Sequence, residues 1–167
     1  MKFGLRIRQY IKMVVQNVFL PVCYRYYVLR YCPGQNRAMK SKSGAEEQGL
    51  IVFADAHHNT RPENMEQLYQ YLIKNTDPGR IYEWYLDYQK TSFGQVYRHM
   101  TTFMKLYAQA DCVVICDNFL PVASCKKNPR TKVVQLWHAC GAFKKFGYDT
   151  EDDIPANYRG NVFANID

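Results

Sequence analysis

His138 lies where a strand is predicted to give way to a helix. The apolar run 132–134 precedes it, and a turn and a helix follow from Gly141. In an open α/β sheet, ligands bind at the edge where the carboxyl ends of parallel strands meet the amino ends of helices. A histidine at that edge is suited to taking a proton from a hydroxyl. Helix N–H groups after Gly141, together with Lys144 and Lys145, are candidates for neutralising a phosphate.

Two earlier apolar runs of the chain also end in polar residues. If these runs are parallel strands, their polar ends lie along one rim with His138, and a carboxylate such as Asp117 could orient a histidine ring. The competing interpretation is a polar loop followed by a solvated, lysine-bearing helix face. The rim residues are Asp55, His57 and His58 after the first run, and Asp117 and Asn118 after the second.

The elements that must position these side chains follow from hydrophobic periodicity. Thr60, Pro62 and Glu63 form a helix-start pattern in which Thr60 is the predicted cap. The order of elements and the crossover lengths predict an α/β fold with a parallel sheet and helices on its faces. The predicted elements are strands at 50–54, 81–86, 112–116 and 132–136, and helices at about 60–75, 95–110 and from 142.

Composition limits the function classes. A chain of 167 residues with 47% apolar and 15% aromatic residues forms one domain with a core and is not disordered. Its six cysteines include no C-x-x-C pair, which favours a reducing compartment and argues against zinc. The chain has neither a phosphate loop nor a G-x-G-x-x-G sequence. We therefore predict no cofactor and no metal.

The first part of the chain is a basic arm. Nine of the 22 Lys and Arg residues precede residue 43, and the first acidic residue is Glu46. Apolar residues at helical spacing beside these cations are typical of a helix that lies in the headgroup plane of an anionic bilayer. Packing on the domain or on a partner, and nucleic-acid binding, are the alternatives. The predicted membrane residues are Lys2, Arg6, Arg8, Ile11, Lys12, Val15 and Phe19.

Several segments together resemble a known family. They are Leu50-Ile51-Val52-Phe53, Asp117-Asn118-Phe119, and Gln135-Leu136-Trp137-His138 with Lys144-Lys145-Phe146-Gly147-Tyr148-Asp149. These residues resemble the CDP-glycerol glycerophosphotransferases of wall teichoic acid synthesis over about residues 48–150. The Trp-His to Lys-Lys block is the most specific part of the resemblance.

The resemblance implies the amino-terminal, acceptor-side Rossmann-like half of a GT-B fold. It implies transfer of glycerol phosphate or ribitol phosphate from CDP-glycerol or CDP-ribitol to a polyprenyl-linked acceptor, with release of CMP. His138 matches the histidine proposed as the base. The donor would be bound mainly by a second half, which this chain lacks, so the chain alone is expected to be inactive. The expected acceptor-binding residues are His57, His58, Asp117, Asn118, Gly141, Lys144 and Lys145.

The predicted organisation has three parts: a membrane-interface arm at 1–32, a linker at 33–47 and an incomplete α/β domain at 48–167. The arm and the lipid acceptor together predict a peripheral protein at the cytoplasmic face of the cell membrane, with no nucleic-acid partner. A non-catalytic, membrane-associated α/β binding module is the competing hypothesis.

Overall fold

The computed structural model describes residues 7, 10–31 and 49–136. Residues 10–31 are helical, with one π-helical turn at Val15–Phe19 before helix α1 at Leu20–Tyr31. The predicted linker lies outside the described residues, and so does the helix predicted from residue 142. The remaining elements are β1 Ile51–Asp55, α2 Glu63–Asn75, a 3-10 turn Pro78–Arg80, β2 Ile81–Tyr85, α3 Phe93–Gln109, β3 Cys112–Ile115, α4 Leu120–Ala123 and β4 Lys132–Gln135.

The four described strands form one parallel sheet in the order β2-β1-β3-β4. Ile51 lies opposite Ile81 on one side and Cys112 on the other, so β1 and β3 are central strands. Every described strand runs in the same direction, and therefore all their carboxyl ends lie at the same edge. The predicted α/β class with a Rossmann-like parallel sheet is confirmed.

Alternate residues of the central strands pack on opposite faces of the sheet. Val52 and Ala54 are fully buried in a cluster with residues of α3 and α1, while Phe53 is buried on the other face with Met65 of α2. This is why β1 is a continuous apolar run, since a parallel strand is covered on both faces. Burial on both sides fixes the register and hence the place where the strand ends.

Two local predictions were wrong. Thr60 does not cap α2, because the residue before its first turn is Pro62, with an extended backbone and no side-chain cap. The segment between β3 and β4, for which no helix was predicted, contains the short helix α4. Pro121 lies in the first turn of α4, where a missing backbone N–H is no disadvantage.

Helix α1 packs on α3 and contributes to the core. Leu20 is fully buried, and the ring of Tyr24 lies 4.9 Å from that of Tyr107. The Tyr24 hydroxyl accepts a hydrogen bond of 2.9 Å from the backbone N–H of Asn128. One face of the helix is therefore attached to the α/β domain. Among the described helices, none is both long enough and apolar enough to cross a bilayer.

Candidate functional site

The strand order reverses between β1 and β3. The chain leaves β1 toward β2 on one side and returns to β3 on the other, so the connections diverge at the carboxyl ends of these two strands. Such a divergence opens a crevice, and open α/β sheets bind their ligands there. The residues that follow β1 and β3 are therefore the first candidates for a site.

Asp55, the last residue of β1, is a buried carboxylate that organises the loop after it. Its side chain is 1% exposed. The Oδ2 atom accepts hydrogen bonds from the backbone N–H groups of His57 and His58, at 2.8 and 2.9 Å. It also lies 2.8 Å from Nδ1 of the His58 ring. One oxygen atom thus holds both the turn and a histidine ring, a local arrangement that aspartate favours.

The contact to Asp55 decides which nitrogen of His58 is available. Because a carboxylate oxygen accepts hydrogen bonds, Nδ1 of His58 is assigned as the donor in this contact, and Nε2 is the ring nitrogen without a contact to Asp55. The His58 side chain is 57% exposed, so its ring is accessible from solvent. A ring that is fixed at one nitrogen and open at the other is the arrangement that a general base needs.

His57 connects the ends of the two central strands. Its Nε2 atom lies 3.7 Å from Oδ2 of Asp117, and both side chains are 44% exposed. The other oxygen of Asp117 accepts a 2.6 Å hydrogen bond from the backbone N–H of Asn118. Asp117 was predicted as a carboxylate that could orient a histidine ring. In the described part of the chain, the ring beside it is that of His57.

The segment after β2, residues 86–90, lies beside the loop after β1 and forms a third part of the site. Its backbone follows the β1 loop, with the N–H of Tyr88 donating to the carbonyl of Ala56 at 2.9 Å. Asn59 accepts a 2.9 Å hydrogen bond from the N–H of Asp87. A hydrogen bond from Lys90, 2.9 Å away, lowers the pKa of Asp87.

Sequence reasoning missed this third part of the site. An aspartate occurs at the end of both strands: Asp55 is the last residue of β1, and Asp87 lies two residues after the end of β2. This repetition in the sequence could have indicated that Asp87 lies at the same edge.

Cys116 is not suited to act as a nucleophile at this edge. Its side chain is buried, and its Sγ lies 3.1 Å from Oδ1 of Asn64. Burial raises the pKa of this thiol to about 11, so it stays protonated near neutral pH. Within the described part of the chain, no three His, Cys, Asp or Glu side chains are close enough together to hold a metal ion.

The charges named at this edge favour a polyol over a phosphate. Asp55, Asp87 and Asp117 contribute three carboxylates, and Lys90 contributes one cation that is already paired with Asp87. Carboxylates repel an anion but accept hydrogen bonds from hydroxyl groups. The described edge therefore matches the hydroxyl side of a reaction better than the phosphate side.

The structure brings together part of the predicted site. His57, His58, Asp117 and Asn118 lie at one edge as expected, because the strands that precede them are adjacent and parallel. The predicted residues outside the described part are His138, Gly141, Lys144 and Lys145 of the site, and Lys2, Arg6 and Arg8 of the arm.

The described residues of the arm divide between two faces of the helix. Ile11, Lys12 and Phe19 are exposed, whereas Val15 is buried in the domain core.

Comparison with known proteins places the chain in a family. The sequence profile of the CDP-glycerol:poly(glycerophosphate) glycerophosphotransferases matches residues 38–166. The chain belongs to this family. The match covers the whole described sheet and the edge built by Asp55, His58 and Asp117, together with the Trp137 to Asp149 block.

One curated relative of this family member is a teichoic acid ribitol-phosphate primase from Bacillus spizizenii strain W23. The two sequences are 35% identical over 101 residues, which is 59% of this chain. The chain spans about a quarter of the length of that relative, since the aligned part is 25% of it.

Proposed function

We propose that this chain is the acceptor-side part of a transferase that moves glycerol phosphate or ribitol phosphate from a CDP-activated donor to a hydroxyl of a teichoic acid acceptor. The observation that carries the proposal is a family match that spans a sheet whose switch-point edge holds an oriented histidine. CMP is the second product. CDP-glycerol or CDP-ribitol binds mainly to a second half of a GT-B fold, and this chain supplies the Rossmann-like half that meets the acceptor.

The proposed reaction needs a base at the acceptor hydroxyl. The hydroxyl oxygen attacks the phosphorus that carries the polyol, and the bond from that phosphorus to the oxygen of CMP breaks. The attacking group must lose its proton to a side chain within hydrogen-bond reach. The candidate for this base is His138, through the family resemblance.

The acceptor-binding residues of the proposal lie on both sides of the crevice. His57 and Asp117 are half-exposed and close together, so they can share hydrogen bonds to neighbouring hydroxyl groups of a polyol. Asn118 is exposed beside them. Gly141, Lys144 and Lys145 are the proposed contacts to phosphate, because the described edge is rich in carboxylates.

We also propose that the first helix rests on the cytoplasmic face of the membrane, where a polyprenyl-linked acceptor is held. The face of the helix turned away from the domain exposes Val18, Val22 and Leu29, at 57, 64 and 66%. Residues 10–31 contain Lys12, Arg25 and Arg30 and no acidic residue. Apolar side chains flanked by cations suit an anionic interface.

CMP release from the natural full-length protein tests the enzymatic proposal. We expect release from CDP-glycerol or CDP-ribitol only when a vesicle-bound lipid carrying glycerol phosphate is supplied as acceptor. His138→Ala tests the resemblance-based base in the same assay. A full-length protein that binds these vesicles but releases no CMP from either donor supports the non-catalytic binding module instead.

Cosedimentation with vesicles containing phosphatidylglycerol tests the membrane proposal. Val22→Asp with Leu29→Asp should weaken binding at least tenfold, because two charges replace apolar side chains at the interface. Tyr71→Asp is the matched control, since Tyr71 is a 63% exposed apolar residue on α2. Equal binding by the double variant and the control would contradict the proposal.

A further inference from the structure

A half-open cavity of about 700 Å³ lies at the amino edge of the sheet. Its lining includes Leu50, Arg80 and Asp111, the residues that directly precede β1, β2 and β3. These three strands are parallel and in register, so the cavity lies at the opposite end of the sheet from His57 and Asp117. Ligand sites in proteins have volumes of roughly 300–1,000 Å³, so the cavity is large enough for one segment of a chain.

Two cations of the cavity have no anionic partner in the described part of the chain. Arg80 is partly buried, and within residues 10–31 and 49–136 its guanidinium forms no hydrogen bond or ion pair. The ammonium group of Lys105, on α3, lies 5.3 Å from the centre of the Tyr31 ring and has no carboxylate beside it in those ranges. Cations that lack a counter-charge in a cleft attract an anionic ligand.

Asp111, the acidic residue in the described lining, is already engaged. Its Oδ2 atom accepts a 3.1 Å hydrogen bond from the backbone N–H of Leu50, and its Oδ1 atom lies 3.7 Å from Nε of Arg130. Asp77, beside the cavity, accepts the backbone N–H of Gly79 at 3.0 Å. The nearby carboxylates therefore have partners of their own, and the two cations remain available for a ligand.

Aromatic side chains of β2 form a wall of the cavity beside these cations. Trp84 stacks on His99 at 4.8 Å, and its indole N–H donates to the backbone carbonyl of His99 at 3.3 Å. Tyr82, two residues earlier on the same strand, is 43% exposed. Aromatic rings cover the C–H surface of a ligand, and cations bind its phosphate oxygens. A polyol phosphate has both kinds of group.

We propose that this cavity binds a phosphodiester group of a polyol phosphate chain. Arg80 and Lys105 hold the phosphate oxygens. The rings of Tyr82 and Trp84 cover the carbon atoms of the polyol. As a site for the acceptor chain, the cavity rests on the proposed function, but it lies at the other edge of the sheet from the reacting hydroxyl.

The distance between the two edges gives the cavity a role in specificity. β1 has five residues, and a strand rises about 3.3 Å per residue, so the two ends of the sheet are roughly 17 Å apart. Only an acceptor with several polyol phosphate units is long enough to occupy the cavity while its terminal hydroxyl lies at the carboxyl edge. The cavity therefore favours acceptors that already carry several units.

The first experiment titrates the 167-residue chain with a soluble oligomer of glycerol phosphate and follows the indole N–H signal of Trp84 by NMR. Arg80→Gln with Lys105→Gln should raise the Kd at least tenfold, because both phosphate contacts lose their charge. Arg98→Gln with Lys126→Gln is the matched control, since it removes the same charge from two exposed residues outside the cavity lining. No binding by wild type, or equal weakening in the two double variants, would overturn the proposal.

Tyr82→Ala tests the aromatic wall in the same titration. We expect the Kd to rise about threefold to tenfold, because the polyol carbons lose an apolar contact. Tyr71→Ala, at a 63% exposed tyrosine on α2, should bind like wild type. A wild-type Kd in Tyr82→Ala would contradict the role of the wall.

Glycerol phosphate also occurs in the headgroup of phosphatidylglycerol, and vesicles separate the two sources. In cosedimentation with vesicles containing this lipid, Arg80→Gln with Lys105→Gln should bind as well as its matched control. Weaker vesicle binding than the control, with unchanged binding of the soluble oligomer, would assign the cavity to the membrane surface and overturn the proposal.

The second experiment measures CMP release by the full-length protein with two acceptors, one carrying a single glycerol phosphate and one carrying several. We expect the ratio of kcat/KM for the long acceptor to that for the short one to fall at least fivefold in Arg80→Gln with Lys105→Gln. An unchanged ratio would overturn the role in chain-length specificity. If wild type releases no CMP with either acceptor, the transferase proposal fails, and the NMR titration decides the cavity by itself because it does not depend on catalysis.

Discussion

Two histidines in the described part of the chain lie in different regions, and in each of them Nδ1 is held by a side-chain hydrogen bond. His58 lies in the loop after β1, with Nδ1 on the Asp55 carboxylate and its side chain 57% exposed. His99 lies in α3, with Nδ1 at 3.0 Å from the Tyr88 hydroxyl and its ring stacked on Trp84 at 4.8 Å. The partner of one is a charged group, and the partner of the other is neutral.

The difference separates a histidine ring that is open to solvent from one that is part of the packing. Burial lowers the pKa of His99 to about 4, so its ring is neutral near pH 7 and serves as a polar element of the packing. His58 combines a fixed ring with access to ligands. Histidine type and spacing alone do not distinguish these cases, because the neighbouring strand and helix supply the partners.

The largest expected effect on stability is that of Asp55→Ala. Two backbone N–H groups and the His58 ring lose their common acceptor, which should lower the free energy of unfolding by about 2–3 kcal/mol. Urea unfolding of the 167-residue chain, in wild type and in Asp55→Ala, measures this loss of stability. Asp77→Ala, which removes an acceptor for one exposed N–H, should cost less than about 1 kcal/mol. Equal losses in the two variants would mean that Asp55 is not the organising group of its loop.

His99 should make stability depend on pH. Its pKa is about 4 in the folded chain and about 6.5 when unfolded, so the unfolded chain binds the extra proton between these values. The contribution of neutral His99 to the free energy of unfolding is complete above about pH 6.5 and is lost as the pH falls toward 4. Because His99 is only partly shielded from solvent, we expect about 1–2 kcal/mol.

Unfolding measured from pH 4 to 7 in His99→Phe checks this expectation, since the variant should flatten the pH dependence. Thr102→Ala, an exposed change on the same helix without a titratable group, should keep it. An unchanged slope in His99→Phe would place the origin of the pH dependence elsewhere.

Tyr88→Phe tests whether the partner of His99 is purely structural. The variant removes the hydroxyl 3.0 Å from Nδ1 and should lower the free energy of unfolding at pH 7.5 by about 1 kcal/mol. The ring tautomer of His58, measured by NMR from long-range couplings of the ring nitrogens, should stay the same. A change in that tautomer would show that the two histidines belong to one network, which would weaken the distinction drawn between them.

The smallest expected effect is that of Asp117→Asn, which keeps an oxygen to accept the N–H of Asn118 and removes the charge that faces His57. Asp117 and His57 are both 44% exposed and lie 3.7 Å apart, so the pair should contribute no more than about 0.5 kcal/mol to stability at low salt. Thermal unfolding at 20 mM and 500 mM NaCl should give nearly the same difference from wild type. A loss above about 1 kcal/mol would mean that the pair holds the two strand ends together and is not an open, ligand-facing contact.

The central strands and their polar ends could be predicted because they depend on local pattern. The run from Leu50 to Ala54 is apolar enough to be covered on both faces, and the polar residues after it mark where it leaves the sheet. The expectation that His57 and Asp117 share an edge needed only parallel strands, and the register of β1 with β3 confirms it.

Other features could not be predicted, because they depend on partners that are distant in sequence. Thr60 has a good capping sequence, but α2 begins later, at Glu63. Tyr24 was assigned to a membrane-interface segment, although its hydroxyl bonds to the backbone of Asn128, 104 residues away. A periodic helix shows which side chains share a face and not which surface covers that face.

By itself, the sequence determined the parallel α/β class, the family and the residue types at the carboxyl edge. These follow from short-range hydrophobic pattern and from motifs that occupy contiguous positions. Only the tertiary structure decided that Asp55 is buried beneath three donors, that the His58 side chain stays more than half exposed and that α1 has one covered face. Burial and hydrogen-bond partners arise when β1, β3, α1 and α3 pack together, and they determine which histidine stays exposed at the carboxyl edge and which is part of the packing.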